Sequence, residues 1–101
     1  MKSRQELSDI LHTLAPNVYF QPTTGTRIKY PCIIYERASG LSIPADNRSY
    51  LFTQSYTITV IDKNPDSEIP DKVREAFQPM CTTDRHFVND GLNHDTFLIY
   101  F

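Results

Sequence analysis

The chain has no tryptophan, three glycines, two cysteines and no strong excess of charge of either sign. Each scarcity excludes something. Three glycines leave no G-x-x-x-x-G-K-[ST] or G-x-G-x-x-G loop, so a phosphate cradle is not expected. A formal net charge of −2 gives no overall basic field to draw nucleic acid or an anionic membrane. No window approaches the ~18 consecutive apolar residues that a membrane-spanning helix needs. The N-terminal run MKSRQELSDILHTL carries charges inside its apolar pattern, which is not the layout of a signal peptide. Cys32 and Cys81 lie far apart in apolar or strand-like segments, so buried thiols in a reducing cytoplasm are expected rather than a disulfide.

What is present suits one small core. A length of 101 residues fits a single domain spanning residues 1–101, and 40% hydrophobic content with six Tyr and six Phe can fill it. The clearest signal is YLFTQSYTITVID, Tyr50 to Asp62. Tyr50, Phe52, Tyr56, Ile58 and Val60 fall on one face, and Thr53, Ser55, Thr57 and Thr59 on the other. Alternation with period two predicts a long half-buried strand at the centre of a sheet.

The remaining elements follow from local signals. Ser3 and Glu6 fit a capping box, and Leu7, Ile10, Leu11 and Leu14 make one apolar stripe, so a helix is predicted over 3–14 and stopped by Pro16. Asn17 to Phe20 reads as a short strand, and Gln21 to Lys29 as a loop. Cys32 to Tyr35 reads as a second strand with Pro31 at its start. Ala38 to Ser49 is expected to be a second loop. After the break DKNPD, Ser67 or Asp66 is expected to cap a second helix with the stripe Ile69, Val73, Ala76 and Phe77, closed by Pro79. The run from Cys81 reads as a hairpin turning at Asp90-Gly91, with Phe97, Ile99 and Phe101 on one face and the final strand reaching the last residue. The order α-β-β-β-α-β-β predicts an α+β fold, a largely antiparallel sheet with about two helices packed on one side.

Chemistry is harder to find. The densest polar cluster is Asp84, Arg85, His86, Asn89, Asp90, Asn93, His94 and Asp95. A hairpin can bring Asp84 or His86 across from His94 or Asp95, a donor set suited to a metal. Asp and Asn beside Gly are also ordinary turn residues, and HExxH, CxxC and histidine triplets are absent. A surface pairing of Asp84 or Asp95 with Arg85 or Arg74 is the plainer expectation. No GxSxG elbow exists, and Cys32 within CII reads as core. Tyr30, Tyr35 and Tyr56 with Lys29, Arg37 and Arg48 offer a stacking surface for single strands, which the acidic balance opposes. No catalytic residue, cofactor or metal site is expected, and the chain is read as a structural or interaction module, not an enzyme. Loops Gln21–Lys29 and Ala38–Ser49 are long for so small a domain. Leu41 and Ile43 have no periodic partner in the second, so they either dock on another subunit or cover their own core.

The runs YTITVIDKNPDSEIPDKV and CTTDRHFVNDGLNHDTFLIYF, with V-I-D-x-N-P-D-S and D-R-x-F/Y-x-x-D-x-L-x-H-D inside them, resemble the small neck and tail-completion proteins of long-tailed bacteriophages, often labelled minor capsid or tail terminator. YFQPTTGTRIKYPCIIYER resembles the early part of the same family, and the similarity covers most of residues 5–101. The resemblance implies a small α/β protein of the virion, a hexameric ring at the head–tail junction. Such a ring joins the tail tube protein to the head-side connector or stopper protein, ends tube growth, and lets genomic DNA through without sequence-specific binding. It implies no catalytic residue, no cofactor and no membrane. An acidic balance suits a conduit along which DNA slides without sticking. The candidate inter-subunit contacts are Arg27, Lys29, Leu41, Ile43, Asp46 and Arg48. The alternatives are a head-closure or adaptor ring of the same neck, and a non-phage binding module or minor enzyme using the His86/His94 hairpin.

Overall fold

The computed structural model describes residues 3–42 and 53–101. Helix α1 spans Arg4–Leu14, and the Ser3 side chain accepts a hydrogen bond from the Glu6 backbone N–H, which satisfies one orphan amide of the first turn. Leu7 and Leu11 are buried, with Ile10 and Leu14 packed beside them. The strands are β1 (Asn17–Phe20), β2 (Cys32–Ser42), β3 (Thr53–Asp62), β4 (Cys81–Asn89) and β5 (Leu92–Tyr100), and helix α2 spans Ile69–Phe77. The fold is α+β, as the order of elements predicts. Among the described residues the strands form one sheet in the order β1-β2-β3-β5-β4. Every neighbouring pair is antiparallel except β1 and β2.

That parallel pair explains a long loop. A chain leaving β1 at Phe20 must travel back the length of β1 before Cys32 can lie beside Asn17. Parallel neighbours always require such a crossover. Residues 21–31 supply it, held by a turn in which the Thr26 N–H donates to the Thr23 carbonyl at 3.0 Å. Its length is a demand of topology and not by itself a sign of binding.

Both helices cover one face. Ile33 and Tyr35 of β2, Tyr56, Ile58 and Val60 of β3, and Phe97 and Ile99 of β5 form a single buried cluster with Leu7, Leu11 and Ala15 from α1 and Ile69, Val73 and Phe77 from α2. The register puts these side chains in rows. Val60 lies beside Ile33, Ile58 between Tyr35 and Phe97, and Tyr56 beside Ile99. Arg4 reaches over this layer from α1, donating to the Tyr35 hydroxyl at 3.1 Å and lying 4.6 Å above the Phe20 ring.

Three expectations are corrected. Residues 38–42 are not loop. Strand β2 continues through them to Ser42, with a register shift between Arg37, opposite Tyr56, and Leu41, opposite Gln54. Three residues there face Ser55 alone, so an insertion is absorbed as a bulge and pairing resumes beyond it. Ala76 is exposed, and Pro70 takes its place on the buried side of α2 with Ile69, Val73 and Phe77. The cap of α2 is also shifted. Glu68 holds the N-cap position without a side-chain bond, while the Ser67 hydroxyl accepts from the Ile69 N–H at 3.3 Å. The break before it is built from side-chain turns: Asp62 accepts from the Asn64 N–H, and Asn64 from the Asp66 N–H, each at 2.9 Å.

Candidate assembly surfaces

Two features of the sheet, among the described residues, lie away from the helices: its edges and the face opposite them. Strands β1 and β4 are the edges among the described residues. Strand β4 is the longer, running Cys81–Asn89, and it ends in the tight turn Asp90-Gly91, where both residues have positive φ, 53° and 75°. A two-residue turn of this hand makes the flanking Asn89 and Leu92 the hydrogen-bonded pair. Bonding alternates along an antiparallel pair, so the backbone N–H and C=O of Val88 and His86 point away from β5, toward the open side. Val88 is 61% exposed, the most exposed large hydrophobic side chain among the described residues.

The face opposite the helices carries Cys32, Ile34 and Glu36 from β2, Ser55, Thr57, Thr59 and Ile61 from β3, and His94, Thr96, Leu98 and Tyr100 from β5, matched in rows by the register. Cys32, Ser55, Ile61 and Thr96 are buried, while Ile34, Thr57, Thr59, Leu98 and Tyr100 are half-buried. It is therefore neither a second core nor an ordinary charged surface. The Thr/Ser half of this face was legible in β3. The Leu98/Tyr100 half comes from β5, whose odd-numbered residues line the core and even-numbered ones the open side.

The β4–β5 hairpin sorts the polar cluster onto two faces. The Asp95 carboxylate accepts from the His86 ring, Nδ1 to Oδ1 at 2.8 Å, directly across the strands. His94 pairs with Phe87 instead, its ring stacked at 4.6 Å between centroids and 10° between planes, and the Arg85 guanidinium lies 4.7 Å over the same Phe87 ring. Adjacent strand residues point to opposite faces, so His86 and His94 cannot converge on one ion. Among the described residues no group of three or more His, Cys, Asp or Glu is placed to hold a metal. Asp95 thus pairs with His86 rather than with Arg85 or Arg74, and Arg74 pairs with Asp71 at 2.9 Å. Asp84 sits at a register shift between Thr83 and Arg85.

Of the candidate contacts, Arg27 and Lys29 are exposed on the crossover loop, where the Lys29 N–H donates to the Tyr19 hydroxyl at 3.1 Å. Leu41 lies in β2, in register with Gln54. Ile43, Asp46 and Arg48 lie outside the described residues, as do Tyr50 and Phe52. The structure therefore brings Arg27 and Lys29 onto one loop and places Leu41 on a different strand.

The cysteines are free thiols on separated strands. Cys32 is fully buried, and desolvation, with the charge of Asp62 adding to it and a backbone hydrogen bond at Ile61 opposing it, pushes its thiol from 9.0 to about 11. Burial also raises Cys81, partly offset by the Arg74 charge. Native protein at pH 8 is expected to alkylate at Cys81 much faster than at Cys32, with both reacting after urea unfolding; equal native rates by mass spectrometry would contradict a sealed Cys32. The linkage sign follows. Between pH 9 and 11 the unfolded thiol ionises while the native one keeps its proton, so the Cys32 contribution to stability is intact below about pH 9 and is lost as pH rises.

No family model, no curated protein and no solved structure matches the chain.

Proposed function

We propose that this chain is a ring-forming structural subunit of the phage head–tail junction, a tail terminator or tail-completion protein. In that role it caps the tail tube, joins it to the head-side connector and surrounds the passing DNA. The observation that carries the assembly part is the pair of sheet edges among the described residues, β1 on one side and β4 on the other. Different edges at opposite ends of one sheet make a head-to-tail contact, and a head-to-tail contact that rotates closes into a ring. Backbone pairing across subunits gives such a contact direction without needing charge. The runs that resemble the neck family lie on β1, β2, β3, α2, β4 and β5. The rings are taken to be hexamers by the same resemblance.

Native mass spectrometry and negative-stain electron microscopy of the purified chain, alone and with tail tubes, test the proposal. A closed ring, or a ring seated on tube ends, supports it. A chain that stays monomeric at all concentrations and ignores tubes overturns it. Replacing Leu41 and Ile43 together with Asp is expected to leave the monomer folded and weaken assembly, read by size exclusion and microscopy. Unchanged ring formation would remove those two residues from the interface.

A further inference from the structure

The face away from the helices carries two charges of opposite sign among its described side chains, and their placement is informative. Glu36 sits on β2 in the row Glu36–Thr57–Leu98–Thr82, and Arg85 sits on β4 in the neighbouring row Ile34–Thr59–Thr96–Arg85. They flank the uncharged centre made by β3 and β5, one on each side. Both are exposed, and among the described residues neither makes an ion pair. Phe87, beneath the Arg85 guanidinium, holds that cation over the face.

We infer that this face is a two-fold docking surface for a second copy of the same chain. A two-fold axis lying between two stacked sheets, parallel to the strands and over the β3–β5 seam, sets β2 of one copy opposite β4 of the other. It therefore sets Glu36 toward Arg85 of the second copy, and does so twice. An axis perpendicular to the strands would instead set β2 against β2 and bring the two Glu36 carboxylates near each other. The rows of Glu36 and Arg85 are one step apart, about 7 Å along the strand; the guanidinium rests over Phe87, on the side of its row away from Glu36, and swings back along β4 to meet the carboxylate. Stacked sheets approach to about 10 Å and turn about 30° relative to one another, so side chains of this height meet.

The area is adequate. The four longer strands, spaced about 4.8 Å apart and roughly 30 Å long, present on the order of 600 Å² in projection, and specific complexes bury about 600–1,000 Å² per partner. The centre is Thr57, Thr59, Leu98 and Ile34, with no charge to desolvate, and the charged pair lies toward the rim, where it sets orientation more than affinity. The contact uses a face, whereas ring closure uses edges, so it does not rest on the neck assignment.

The test is sedimentation equilibrium of the full chain and of single and paired charge variants in low salt. Glu36→Arg and Arg85→Glu are each expected to weaken two-fold association by about tenfold or more, since each leaves two like-charge meetings. The double variant E36R/R85E restores opposite signs and is expected to return to within about threefold of the parent. Thr57→Arg, at the centre, is expected to abolish association. The edge variant Val88→Pro is expected to leave it intact. Circular dichroism spectra and urea midpoints matching the parent establish that the single variants fold. Three outcomes overturn the inference: no association of the parent up to about 100 µM, weakening by the single variants without rescue by the double, or loss of association in Val88→Pro alone.

Discussion

Phe97→Ala is expected to lower the free energy of unfolding by about 3–5 kcal/mol, the largest single-residue effect on stability that the structure supports. Phe97 is 1% exposed and stands in β5 between Ile58 of β3 and Thr83 of β4. The Arg74 guanidinium closes over its ring from α2 at 5.6 Å. One side chain therefore touches the central strand, the edge strand side and the second helix. Its removal leaves a void that neighbours on a hydrogen-bonded sheet cannot move to fill. A domain of this size has only about 5–15 kcal/mol to lose. Urea unfolding should show a lower midpoint at unchanged slope. Val88→Ala, on the exposed edge, should shift it by less than about 0.5 kcal/mol. A loss below about 1 kcal/mol for Phe97→Ala would mean that the core is organised around some other residue.

Val88→Pro should have the largest effect on assembly. The turn at Asp90-Gly91 fixes the phase of hydrogen bonding, and that phase points the Val88 N–H outward. Proline there removes an outward donor and puts a ring where a neighbouring strand must approach, while the bonds of β4 to β5 are kept. Natural edge strands use proline in this way to refuse partners. The variant is expected to keep its circular dichroism spectrum and to lose ring formation, with association through the edge weakened at least tenfold. Rings that form as before would place the subunit contact elsewhere, and would remove the main structural support for the proposed role.

Much of the architecture was visible in the residues. Helix α1 announced itself through Ser3 and four apolar positions, β3 through strict alternation, and the final hairpin through Asp90-Gly91, since positive φ at successive residues suits so few side chains. The weaker readings have separate causes. The extension of β2 through Ala38 and Gly40 has no alternation of its own, because a bulge interrupts the period. The burial of Pro70 in place of Ala76 depends on which side of α2 meets the sheet.

By itself, the sequence settled where each helix and strand lies, apart from the extension of β2 through residues 38–42, and that one face of the central strand is apolar and the other uncharged. These are matters of local period and local sterics, within reach of neighbours a few residues apart. The tertiary structure alone decided that β1 runs parallel to β2, and that His86 and His94 turn to opposite faces. It also decided that Glu36 and Arg85, far apart along the chain, flank one uncharged surface. Those relations depend on strand order and register, and pairing between distant segments is chosen by the whole core at once.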